Sequence, residues 1–215
     1  MIRTRDGRTH RRREICVVLL LTLFGACHVG GRVAAQQFEQ LSPQVREFVA
    51  VQAAHVLIRD VRLIDGTGAP AREGMSVVLR DGRIVLVGPM SEVGDVPGAQ
   101  IVDGTGQTLI PGLVMLHEHM FYPSGRARYN TNQFSFPPLY LAGGTTTIRT
   151  GGSLDPYTDL SIRREIDAGR HPGPSMDVTG PYLEGPGGFI WAFPSLSTPD
   201  EARDHVNFWA DRGVT

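Results

Sequence analysis

The chain has 215 residues, 41% of them hydrophobic and 20% charged, with a formal net charge of −1. That is the composition of an ordinary folded globular protein, and it excludes a disordered chain or a coiled coil. All 21 basic residues are arginine, so chemistry that needs a lysine side chain is excluded within these residues.

An arginine-rich start (Arg3, Arg5, Arg8, Arg11, Arg12, Arg13) leads into an apolar stretch from Ile15 to Ala26 and a small-residue exit ending Val33-Ala34-Ala35. This is the order of an export signal, so residues 1–35 are expected to be removed and the mature protein to be periplasmic or extracellular. The apolar stretch is shorter than the roughly 20 residues a membrane span needs, and no span is expected. Arg12-Arg13 resembles part of a twin-arginine signal, and Cys27 after Phe24-Gly25-Ala26 resembles part of a lipid-attachment site. Removing residues 1–35 takes away seven arginines and two acids, leaving 14 Arg against 20 Asp and Glu and a net charge near −6. Nucleic acid is not an expected partner of so acidic a chain. Both cysteines, Cys16 and Cys27, fall inside the signal, so the mature chain is expected to have neither a disulfide nor a thiolate ligand.

Residues 36–55 form an N-terminal helical segment in this reading, because Ser42-Pro43 followed by Val45, Phe48, Val49 and Gln52 predicts a short capped amphipathic helix. From Val56 to Ile110 short β-branched runs alternate with turn residues, among them Asp65-Gly66 and Asp81-Gly82. Asp-Gly between alternating runs is a hairpin signal, so a small antiparallel β unit is expected over residues 56–110. Gly66-Thr67-Gly68-Ala69-Pro70-Ala71 imitates a dinucleotide-binding loop, but Pro70 and a further β run follow where such a loop must open a helix.

Beyond Ile110, strand-like runs return every 30 to 40 residues or so. They are "GLVMLH" near 112, "TTTIRT" near 145, "SMDVTG" near 175 and a start at "GVT" over 213–215. Helices are predicted between them, from Asp159 to Ala168 before Gly169, and from Pro199 to Arg212 before Gly213. The second opens on a capping box of Thr198 and Glu201. Strands alternating with helices at this pitch predict βα units and a parallel sheet.

At the end of the first of these strands, "LIPGLVMLHEHMF" (109–121) places His117 and His119 one residue apart. Strict strand alternation puts Leu113, Met115, His117 and His119 on one face and Val114, Leu116 and Glu118 on the other. Two imidazoles on one face can each offer a nitrogen to one metal ion, at about 2.0–2.1 Å for zinc. By itself the pair also fits two strand histidines satisfied by hydrogen bonds. A cupin-type site would need a glutamate four or five residues later, where Pro123 and Ser124 stand.

The setting of the pair is more specific. A β unit ending "DGTGQTLIPG", an apolar strand ending His-x-His, and "AGGTTTIRT" opening the next strand together resemble the front of the amidohydrolase superfamily, in its prolidase-like and imidazolonepropionase-like branch. The resemblance runs from about Val56 to Thr215. It implies an α/β fold with a β-sandwich over residues 56–110 and, over 111–215, the first three strands and the start of the fourth of a (β/α)8 barrel. It implies that His117 and His119 are metal ligands for one or two divalent ions, zinc first among them. Met115 stands where many relatives have an aspartate.

In that family the metal polarises a carbonyl and acidifies a water that attacks a C–N bond. A carboxylated lysine on the fourth strand, later histidines and a late aspartate as general base complete the site. The lysine and aspartate are expected beyond Thr215. The chain is therefore expected to be a front portion, inactive alone, of a hydrolase acting on a non-standard amide, dipeptide or cyclic amide. A non-catalytic secreted remnant or binding protein is the alternative. Arg149 and Thr150 at the end of the second barrel strand, with Tyr182 and Glu184 after the third, are candidates to touch a small-molecule amide or peptide substrate. Arg126 and Arg128 in the first loop, and Trp191 in "EGPGGFIWAF", are further loop candidates, while His55, His171 and His205 lack any partner pattern.

Overall fold

The computed structural model describes residues 38–125, 128–188 and 193–215. The expected export signal with Cys27 lies outside the described residues, as do Arg126 and Trp191. Among the described residues no helix is long and apolar enough to cross a membrane.

A one-turn helix, α1 (Pro43–Arg46), lies near the start of the described chain. Ser42 caps it, its hydroxyl accepting from the Val45 N–H at 3.2 Å. The helix is shorter than the apolar spacing predicts, and Phe48 beyond it is exposed. What fixes the segment is distant: the Ser42 N–H donates to the Gly169 carbonyl at 2.9 Å and its hydroxyl to the Arg170 carbonyl at 3.0 Å.

One five-stranded sheet follows, made of β1 (His55–Leu63), β2 (Arg72–Arg80), β3 (Arg83–Pro89), β4 (Gln100–Asp103) and β5 (Thr108–Leu109). The order is β3-β2-β1-β4, with β5 also paired to β1. Asp81 and Gly82 join β2 to β3 with φ of 50° and 75°, the two positive values that a tight two-residue hairpin requires. Asp65-Gly66 does not make such a turn. Residues 64–71 separate β1 from β2, and the Asp65 carboxylate accepts from the Thr67 N–H and hydroxyl at 3.0 and 2.6 Å. The same Asp-Gly-Thr-Gly sequence recurs at 103–106, where Asp103 holds Thr105 in the same way.

The sheet departs from the expected antiparallel unit, because β4 and β5 run parallel to β1, with Val56 opposite Gln100 and Arg62 opposite Thr108. Turn signals report only on strands adjacent in sequence. Here a short helix, α2 (Met90–Val93), carries the chain away from β3 before it rejoins the sheet on the far side of β1. Val61, Leu63 and Met75 form a buried cluster with Ile58 and Leu109 against it, each aliphatic group contributing about 1.5–3 kcal/mol on burial.

A second, three-stranded sheet is parallel throughout, in the order β10-β9-β6, from β6 (Leu113–Glu118), β9 (Thr145–Thr150) and β10 (Ser175–Asp177). Between β6 and β9 lie a small antiparallel hairpin, β7 (Phe121–Pro123) with β8 (Tyr129–Thr131), and a helix, α3 (Phe136–Ala142), that sequence reasoning left out. Pro137 and Pro138 sit in its first turn, where a missing N–H costs nothing.

The helix after β9, α4 (Pro156–Asp167), begins three residues earlier than predicted. Asp155 caps it, accepting from the Thr158 N–H at 3.2 Å and its hydroxyl at 2.6 Å, with Pro156 at the first helical position. The last helix, α5 (Pro199–Ala210), opens on the predicted capping box of Thr198 and Glu201. Ile148 and Met176 from the strands pack with Leu160, Ile162 and Trp209 from the helices, and with Met120 and Val178, as one core. The predicted start at residues 213–215 is not a strand, but the Thr215 N–H donates to the Val178 carbonyl at 3.0 Å and its hydroxyl to Asp177.

Candidate functional site

His117 closes β6 next to Glu118, and His119 lies just past the strand's end. The pairing of β6 with β9 slips twice, between Leu113 and Val114 and between Met115 and Glu118, so simple alternation does not run the length of the strand. The histidines nevertheless come together, their ring centroids 5.2 Å apart and the rings nearly perpendicular. Glu118 does turn away from them. Its carboxylate accepts from the Tyr140 hydroxyl of α3 at 2.6 Å, and burial, then this bond and charge, hold that phenol well above the ordinary tyrosine value.

The floor of the site is the Thr150-Gly151-Gly152 turn that ends β9. A Cβ on Gly151 would come 2.6 Å from Cδ2 and Nε2 of His117, and one on Gly152 would come 2.7 Å from the Tyr182 ring. Glycine at both places is what lets His117 and Tyr182 sit over this turn. Nδ1 of His119 lies 3.3 Å from the Gly152 carbonyl oxygen and 3.5 Å from the Tyr182 hydroxyl. Phe121 packs on the His119 ring at 4.7 Å between centroids, with Tyr129 edge-on to Phe121 at 5.6 Å. Tyr182 is itself flanked by Phe193 at 6.3 Å.

Beneath the turn lies a buried polar cluster that sequence reasoning missed. Asp159, on the first turn of α4 and only 1% exposed, accepts from the Ser153 hydroxyl at 2.6 Å and from the Gln133 amide at 3.2 Å. Burial raises its carboxyl above the usual range against these two bonds, which lower it. The only local hint was Asp155-Pro156 as a helix start, since Gln133 lies 26 residues from Asp159 and its contact is purely tertiary.

The four proposed substrate contacts separate in space. Tyr182 reaches His119 directly. Thr150 is fully buried and its hydroxyl is engaged with Thr179 at 2.9 Å. Arg149 pairs with Asp177 on the neighbouring strand at 3.7 Å. Glu184 lies in the loop after β10, where its carbonyl accepts from the Leu196 N–H at 2.8 Å and its side chain lies over Gly188. Of the other histidines, His171 contacts the Phe134 carbonyl and His205 accepts from the Trp209 indole N–H.

The donor set fits a metal ion in part. Two imidazoles on one tetrahedral ion have centroids about 5 Å apart, since each centroid stands about 3 Å from the metal, and the observed 5.2 Å agrees. Among the described residues, however, no group of three or more His, Cys, Asp or Glu side chains is arranged to hold an ion.

No family model matches the chain. Several curated proteins do. The chain is 39% identical over 119 residues to the N-acyl-D-aspartate deacylase of Alcaligenes xylosoxydans xylosoxydans, a match covering 53% of this chain and 21% of that protein. It is 39% identical over 110 residues to the imidazolonepropionase of Acidiphilium cryptum (strain JF-5), covering 46% and 27%. It is 34% identical over 104 residues to the dihydroorotase of Thermus aquaticus, covering 48% and 22%. These matches span about a fifth to a quarter of the relatives' own lengths. Among solved structures, a protein of Bifidobacterium longum assigned as a prolidase superposes with a TM-score of 0.58 at 29% identity, over 74% of this chain and 39% of that one. An amidohydrolase structure at 21% identity shares the fold, with a TM-score of 0.57 over 74% and 45%. Sequence relatives and structural neighbours point the same way, to the amidohydrolase superfamily.

Proposed function

We propose that this chain contributes two metal ligands, His117 and His119, to a metal-dependent hydrolase of amide-type C–N bonds. The observation that carries the reading is the pair of imidazoles 5.2 Å apart over a glycine turn that leaves them room. A divalent ion, zinc first among candidates, supplies Lewis acidity toward a carbonyl and acidifies a water when bound. The side chains around it bind and orient. Tyr182, whose phenol burial pushes above the ordinary tyrosine value, offers a hydroxyl beside His119, and Phe121 forms an apolar wall. The substrate class proposed is a small amide, dipeptide or cyclic amide. Its support is the kind of relatives the chain matches, a deacylase, an imidazolonepropionase and a dihydroorotase.

In this proposal the three parallel strands are the opening arc of a (β/α)8 barrel and the five-stranded sheet belongs to the accompanying β-sandwich. The parallel order β10-β9-β6 and the exposed apolar Val114 and Leu116 on β6 support it. Export is proposed from the pattern of residues 1–35 alone. Two histidines are fewer than the three protein ligands usual at catalytic zinc, so residues 1–215 alone are proposed to bind metal without turning over substrate.

Zinc titration of the purified chain, followed by assay of the zinc-loaded protein on N-acyl amino acids, dipeptides and cyclic amides, tests both halves. We expect zinc binding that is lost in the His117→Ala/His119→Ala double variant, and no hydrolysis. Equal zinc binding by the double variant would overturn the metal reading. Turnover by the 215-residue chain would overturn its proposed inactivity.

A further inference from the structure

Thr150 ends β9 and Thr179 follows β10, on neighbouring parallel strands. Their hydroxyl oxygens are 2.9 Å apart, the Thr179 N–H donates to Thr150 Oγ1 at 2.8 Å, and the Gly152 N–H donates to Thr179 Oγ1 at 2.9 Å. The two hydroxyls thereby satisfy two main-chain donors in a region where Thr150 has no exposure at all. An apolar side chain at either place would strand one of those donors. Gly152 has a φ of 106°, in a region that only glycine enters freely.

The other side of Gly152 is its carbonyl, 3.3 Å from Nδ1 of His119. A carbonyl accepts and never donates, so this contact requires a proton on Nδ1. The Tyr182 hydroxyl, 3.5 Å from the same nitrogen, can accept as well as donate, so it is compatible with that proton. A neutral imidazole protonated at Nδ1 presents its lone pair at Nε2.

We propose that the Thr150–Thr179 hydroxyl pair positions His119: it clamps the Gly152 peptide, whose carbonyl holds the ring in the Nδ1–H tautomer and leaves Nε2 as the donor atom for a divalent cation. The cation's part rests on the metal reading above, whereas the tautomer does not. Carbonyl partners for ligating histidines are a general device. What is particular here is that two hydroxyls from adjacent strands secure the carbonyl's own peptide.

The test is histidine-directed 15N NMR on the intact metal-free chain at alkaline pH, where an ordinary imidazole is neutral, paired with zinc calorimetry. We expect His119 as Nδ1–H in the wild type and in Thr179→Ser, which keeps the hydroxyl. In Thr179→Val and Thr150→Val we expect a mixed tautomer population and zinc binding about tenfold or more weaker. An Nε2–H ring in the wild type overturns the proposal, and so does a folded valine variant that keeps both the wild-type tautomer and the wild-type zinc affinity. If one valine variant fails to fold, the other reads the same clamp, and the wild-type tautomer decides independently of both. An Nδ1–H ring, lost in the valine variants, in a protein that binds no zinc supports the clamp and sinks the metal reading.

Discussion

Gly151 lies directly under His117, close enough that an added Cβ would stand 2.6 Å from Cδ2 and Nε2 of the ring. The φ of Gly151 is not among the positive values in this chain, so no left-handed backbone stands against alanine, and the three atoms nearest an added Cβ all belong to the imidazole. Gly151→Ala should push His117 away from His119 and weaken zinc binding about 10- to 100-fold, on the scale of other disturbances around metal ligands. Calorimetry with zinc, alongside a thermal melt to show that the fold is kept, measures it. Unchanged affinity would mean that His117 is not a ligand.

Asp159 should make stability depend on pH in a particular sense. Burial raises its carboxyl above the unfolded value near 3.8, so between those two values the folded state binds more protons than the unfolded one. Stability therefore falls as pH rises through that window. Asp159→Asn, which can still bond to Ser153 and Gln133, should flatten this dependence. Asp159→Ala, which leaves both partners unsatisfied, should cost about 2–3 kcal/mol. Urea denaturation at several acidic pH values separates the two.

Tyr140 predicts a loss at the alkaline end. Its phenol is held above the ordinary value of 10 by burial and by the Glu118 carboxylate, so the folded state keeps a proton that the unfolded chain releases. The stability this contributes is complete below pH 10 and is lost as pH rises beyond it. Tyr140→Phe should remove the alkaline loss and cost about 1 kcal/mol at neutral pH through the missing bond. Thermal melts of the two proteins across that range check it.

Gly104 closes the end of β4 over β1. Its N–H donates to the Arg59 carbonyl at 2.9 Å, and an added Cβ would meet the Val61 side chain and stand 3.0 Å from that carbonyl oxygen. Gly104→Ala should destabilise the five-stranded sheet by about 1–3 kcal/mol. The neighbouring Gly106→Ala meets no atom within 4 Å and should show only the smaller penalty of its φ of 75°. Denaturant midpoints of the two variants give the comparison.

Local chemistry settled what the sequence determined by itself. Asp81-Gly82 dictates a hairpin because both residues tolerate positive φ, Thr198 and Glu201 form a capping box because their side chains reach each other's N–H groups, and His117 and His119 are neighbours because one residue separates them. The tertiary structure alone decided that β4 and β5 run parallel to β1, that Glu118 turns to Tyr140, and that Asp159 is buried with Gln133 and Ser153. It alone placed Thr150 against Thr179, 29 residues away, under the peptide that faces His119. These contacts join residues far apart in the chain, and the free energy of burying and pairing them arises only when the strands and helices pack together, so no short stretch of sequence records it.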